Sequence, residues 1–110
     1  MEQVNLSDDL GVLTRQFRAR VINVSGSGCL IESHQWIAVG TIGSLRLQIG
    51  GQEYLDDVEV VRCHPIQGSS VCHVGVRFLW TTARHERSIR HAVTRYGAEL
   101  AGMPITTRVM

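Results

Sequence analysis

Asn23, Ser25 and Gly28 stand in the stretch Asn23-Val24-Ser25-Gly26-Ser27-Gly28, between the apolar runs RARVI and CLIE. A two-residue turn is enough to join two strands, so two glycines and two serines here raise the question of what the extra backbone is for. Asn and Ser side chains mix donors and acceptors on short stems and suit the edge of a base. Glycine permits positive φ and lets backbone approach another group closely, and successive loop N–H groups can form an anion-binding concavity. Arg15, Arg18 and Arg20 lie just upstream, where guanidinium groups would meet phosphate oxygens or guanine edges. A compact nucleotide would use all of these groups. The alternative is a hairpin connection kept for its turn geometry alone.

Other residue groupings are weaker. Cys63-His64 and Cys72-His73 look like a repeated metal-binding pair, but adjacent strand residues point to opposite faces and do not converge on one ion. Reduced, buried or half-buried thiols are the expectation, with no metal site and Cys29 a small apolar strand residue; a two-residue turn at Gln67-Gly68 would set Cys63 opposite Cys72. Glu53, Asp56, Asp57 and Glu59 have neither a partner acid nor a nucleophile motif around them, so they read as a solvated strand edge rather than catalytic carboxylates. Trp36 and Trp80 are expected in core or rim packing. No enzyme is indicated.

The elements that must position these residues come from periodicity. Arg15 to Val24 sets Phe17, Ala19 and Val21 on one face and Arg18 and Arg20 on the other. GCLIES (residues 28–33) is a short strand, and SLRLQI (44–49) alternates with Leu45, Leu47 and Ile49 inward. Gly50-Gly51-Gln52 makes a turn, and YLDDVEVVRC and SVCHVGVRFLW flank a hairpin turn at Pro65-Ile66-Gln67-Gly68. From Ala83 the period changes: Ile89, Ala92, Val93 and Tyr96 predict a helix from about Ala83 to Tyr96, N-capped by Thr82. Arg84, Arg87, Arg90 and Arg95 give that helix a basic, solvated face, open to an acidic partner or RNA. Gly102 and Pro104 predict an irregular tail over 98–110, leaving a core of about 14–97. Five or six strands and one C-terminal helix fit a small closed barrel, because closure removes exposed sheet edges.

At 110 residues the chain is long enough for one domain with one core. All 11 basic residues are Arg, yet the net charge of +1 argues against holding long nucleic acid by charge. The first residues lack the pattern of a signal peptide, no apolar run is long enough to insert in a membrane, and three cysteines fit reduced thiols. The expectation is a cytoplasmic protein.

RVINVSGSGCLIES, VGTIGSLRLQI, VEVVRC and VGVRFLW followed by a basic helix together resemble the PilZ domain family, from about Arg18 to Val93. That family's loop motif is [DN]xSxxG, matched by Asn23, Ser25 and Gly28. The resemblance implies an all-β fold, a six-stranded antiparallel β-barrel of the split-barrel type with one C-terminal α-helix. It implies a bacterial signalling module with no cofactor, which binds cyclic di-GMP and relays the signal to a protein partner. Asn23 and Ser25 would bond a guanine base and Gly28 would leave the ligand room. The family's RxxxR segment, normally some twenty residues ahead of the loop, has no match: residues 1–14 contain no Arg, and Arg15, Arg18 and Arg20 are spaced by three, two and five. These arginines are candidates for phosphate contact or base stacking. The alternative is a degenerate adaptor of the same fold that binds no nucleotide and acts through protein–protein contacts.

Overall fold

Strict alternation of apolar and polar side chains builds most of the chain into strands. The computed structural model describes residues 15–79 and 86–109. The strands are β1 (Arg15–Val24), β2 (Gly28–Ser33), β3 (Ile42–Ile49), β4 (Gln52–Pro65), β5 (Cys72–Phe78) and β6 (Pro104–Val109), with helix α1 (Ile89–Tyr96) between β5 and β6. All pairings are antiparallel, in the closed order β1-β2-β5-β4-β3-β6 with β6 returning to β1. The expected six-stranded barrel is the fold.

Phe17, Val21, Ile31, Leu45, Leu47, Val58, Val60, Val74, Val76 and Phe78 point inward and are buried. Arg18, Arg20 and Gln48, on the opposite faces of their strands, are exposed. Burial of such side chains stabilises by about 1.5–3 kcal/mol each, and closure leaves no long unpaired edge.

Three parts of the chain differ from the periodicity reading. The helix begins at Ile89, with Ser88 as N-cap accepting from the His91 N–H at 3.2 Å; Glu86 and Arg87 form a turn, and Thr82 lies outside the described residues. The expected irregular tail over 98–110 is, through residue 109, regular: a 3-10 turn at Gly97–Leu100 leads into β6, which closes the barrel. Pro104 is tolerated because it is the first residue of the strand. The β4–β5 connection is longer than a two-residue turn, so Cys72 pairs with Pro65 and Cys63 with Val74.

Asp56 and Arg90 are also not on solvated faces. Arg90 is 2% and Asp56 4% exposed. Period two places Asp56 with Tyr54, Val58 and Val60 on the inward face of β4, where α1 covers it. Its carboxylate accepts from Arg90 Nη2 at 2.9 Å, Arg90 Nε at 3.2 Å and the Arg90 backbone N–H at 3.0 Å. One carboxylate therefore neutralises a buried guanidinium and satisfies an otherwise orphan N–H in the first turn of α1, where the helix dipole favours negative charge. Ile89 and Ala92 beside it complete the apolar seal.

Candidate ligand-binding loop and the outer face of the barrel

Asn23 would share the inward face with Phe17, Ala19 and Val21 if β1 alternated without interruption. It does not, because a β-bulge shifts the register between Val21 and Asn23: Val21 pairs with Ile31, but Asn23 pairs with Leu30. The extra residue turns Asn23 outward, onto the face that carries Arg18 and Arg20. β4 repeats the device. Val60 pairs with Val76 and Arg62 with Gly75, so Val61 is the extra residue and Arg62 turns outward. In both strands the bulge falls where strict alternation would bury a polar side chain.

The two bulges lie in one cross-strand row. Asn23 pairs with Leu30, Leu30 with Gly75 and Gly75 with Arg62, across β1, β2, β5 and β4. A side chain on Gly75 would begin 3.4 Å from Arg62 Cβ and 3.8 Å from its Nε, so the Arg62 side chain folds over the bare backbone of β5. The neighbouring row is Arg20, Glu32, His73 and His64, and the row on the other side is Gly28, Arg77, Glu59 and Ile42. There Arg77 Nε donates to Glu59 Oε1 at 2.8 Å, and its Nη2 pairs with the same oxygen. Arg62 was invisible to motif reading; its only signal is a charged residue at what alternation counts as an inward position.

The loop between β1 and β2 is held by its own groups. Ser25 N–H donates to the Gly28 carbonyl at 2.9 Å, and the Ser25 hydroxyl accepts from the Ser27 N–H at 3.3 Å and lies 3.2 Å from the Ser27 hydroxyl. Phe78 N–H donates to the Ser27 carbonyl at 3.0 Å, which ties the loop to the end of β5. Ser25 thus shapes the turn and stays exposed. Gly28 has a structural demand: a Cβ there would collide with the backbone carbonyl of Val76, so the close approach it permits is to β5.

The three arginine candidates are not equivalent. Arg20 sits one row from Asn23, and its Nη1 is 3.5 Å from the Gly102 carbonyl. Arg18 is on the same exposed face, about 7 Å further from the loop at a strand rise of about 3.3 Å per residue. Arg15 begins β1, stands over the Phe17 ring at 5.0 Å and pairs with Val109. At eight residues from Asn23 it lies about 25 Å from the loop along the strand.

The cysteines and histidines separate by face. Cys63 and Cys72 lie on the inner face and His64 and His73 directly oppose each other on the outer face. All three cysteines are free thiols, and among the described residues no group of three or more His, Cys, Asp or Glu could hold a metal ion. Burial pushes the Cys29 thiol up to about 12. Burial, then the adjacent Cys63 thiol, raises Cys72 as well. Such thiols are poor nucleophiles. Trp36 is 64% exposed, outside any core, and Trp80 lies outside the described residues.

Among the described residues no helix is long and apolar enough to cross a membrane. The family model for the PilZ domain matches residues 3–95. The chain therefore belongs to the PilZ domain family, one of cyclic di-GMP-binding-type modules and adaptors. None of the curated proteins and none of the solved structures compared with it matches.

Proposed function

We propose that this member of the PilZ domain family is a bacterial, cytoplasmic signalling module that binds cyclic di-GMP on the outer face of its barrel and relays the signal to a protein partner. The observation that carries the reading is the pair of bulges, which turn Asn23 and Arg62 outward in one row beside Arg20 and the Ser25 loop. Asn23 is the base-edge reader. Arg20 and Arg62 approach from opposite sides of Leu30 and Gly75 and suit phosphate oxygens or the face of a guanine. Ser25 presents the loop in a fixed shape, so little ordering entropy is lost on binding. Arg18 extends the basic track and Arg15 stands too far along β1 to reach the loop. No step of catalysis is needed for this role. A partner reads the bound state only if ligand favours one arrangement of the flanking chain over another.

Calorimetry with cyclic di-GMP tests the reading. Saturable heat is expected for the wild type; Arg62→Ala should weaken binding about 10-fold to 100-fold, as loss of one charge-assisted contact does, and Asn23→Ala about 3-fold to 10-fold, as loss of a neutral hydrogen bond does. Absence of heat at high micromolar protein sinks it.

The adaptor reading is favoured by one feature. Trp36, Val39 and Ile42, in and after the β2–β3 connection, are 64%, 63% and 48% exposed. The Gly40 N–H donates to the Val60 carbonyl at 2.7 Å, which places this apolar segment beside the exposed Val61. Aromatic and aliphatic side chains displayed this way are typical anchors of a protein interface. Partner binding that ignores added nucleotide and is lost in Trp36→Glu would select this reading.

A further inference from the structure

The exposed apolar patch beside the second bulge carries an order of charges that says what covers it. Along β4 the outward side reads Asp57, Glu59, Val61, Arg62 and His64, with Glu59 half-buried and the others exposed. Without the bulge Arg62 would face the core, and the run would lose its positive side. The midpoint of the run lies between Val60 and Val61. Glu59 and Arg62 are equally far from it in sequence, and so are Asp57 and His64. On the adjoining chain the midpoint falls at Gly40 and Thr41. There the Gly40 N–H donates to the Val60 carbonyl at 2.7 Å, and the Val60 N–H donates to the Thr41 carbonyl at 2.9 Å. Val39 and Ile42, 63% and 48% exposed, bracket that point, and Trp36 adds the largest apolar side chain, 64% exposed.

Such a face is its own complement. Consider a two-fold axis lying in the interface and crossing β4 at right angles at that midpoint. It reverses the strand direction in the second copy, so each position faces the one equally far on the other side. Glu59 of one copy faces Arg62 of the other, and Asp57 faces His64. Val61 meets its own equivalent, and Ile42 meets Val39. Glu59 keeps a place for this contact, because both Arg77 donors end on Oε1 and no described bond uses Oε2. Arg62 forms no ion pair among the described residues. The apolar centre supplies the drive to associate. The charges on either side fix the register, since like charges would meet if the second copy lay parallel.

We propose that the protein self-associates through this face as a two-fold dimer, with Trp36, Val39, Ile42 and Val61 at the centre and the Glu59–Arg62 contact made twice at the rim. The occupant of the patch is thus a second copy of this chain, and the inference does not rest on nucleotide binding. A standard interface has roughly 20–30 residues a side, far more than this centre, so the dimer is reversible, with a Kd of roughly 1–100 µM.

Sedimentation equilibrium of the whole chain, from about 1 µM to about 1 mM and without nucleotide, tests the proposal. The mass should rise from that of a monomer to that of a dimer. Trp36→Glu, Arg62→Glu and Glu59→Arg should each weaken association at least about 10-fold, with circular dichroism unchanged from the wild type. Mixing Glu59→Arg with Arg62→Glu should restore a dimer, because each copy then carries at both positions the charge opposite to its mate's. Apolar adhesion without this register would show no such rescue. A wild type that stays monomeric throughout overturns the proposal and leaves the patch to a different protein. A dimer that survives Trp36→Glu overturns it too, as does a mixture of the two charge variants that stays monomeric.

Discussion

Replacing Asp56 by Asn tests how α1 is fastened to the barrel. The substitution keeps the size of the side chain and an oxygen for the Arg90 backbone N–H, but it removes the carboxylate charge that pairs with the Arg90 guanidinium, 2% exposed. Removing one partner of a buried ion pair costs about 3–5 kcal/mol, because the remaining charge stays desolvated. At an unfolding entropy of about 2.1 cal/mol/K per residue, a chain of 110 residues loses roughly 4 °C per kcal/mol, so Tm should fall by roughly 13–22 °C. Urea unfolding, read by circular dichroism, gives the free energy directly. The diagnostic comparison is Asp56→Asn combined with Arg90→Met, which removes the charge as well. If an uncompensated guanidinium is the cause, the double variant recovers at least about 2 kcal/mol relative to Asp56→Asn alone. A single variant that costs less than 1 kcal/mol, or a double variant that is worse than either single, refutes the reasoning.

Two further outcomes follow from the barrel wall. Gly28→Ala drives a methyl group into the Val76 carbonyl; it should cost about 1–3 kcal/mol by denaturant unfolding and displace the Ser25 loop, weakening any ligand there. Cys29, with its thiol pushed up to about 12 in the fold, ionises first in the unfolded chain, near the ordinary value of about 8.5. Stability is therefore full below about pH 8 and falls with rising pH between the two values, by up to about 1.4 kcal/mol per pH unit for this one group. Cys29→Ala should flatten part of that alkaline slope, and thiol reagents at pH 8 should label half-buried Cys63 before Cys29 or Cys72.

Much of this architecture follows from counting by twos. The alternation of Ser44 to Ile49 suffices for β3, and the inward set of β1 through Val21 is read the same way. Ile105, Thr107 and Val109 also alternate and are buried, yet Gly102 and Pro104 mask the strand by sitting just before and at its first residue. Asp56 is legible in parity, since it shares a face with Tyr54, Val58 and Val60. Its partner is not: Arg90 looks like one more solvated arginine until the fold sets the first turn of α1 over that face. The candidate site residues divide similarly. Asn23, Ser25 and Gly28 are found by motif, whereas Arg62 depends on a bulge, and bulges are set by pairing with another strand rather than by local sequence.

β6 is the last of the six strands to leave the ribosome, yet it lies between β1 and β3. Until residue 109 has emerged, two rows of peptide groups, one on each of those earlier strands, have no mate. Nascent chains stalled before that point should expose sticky margins and engage chaperones, and emergence of β6 alone should convert them into a protease-resistant cylinder.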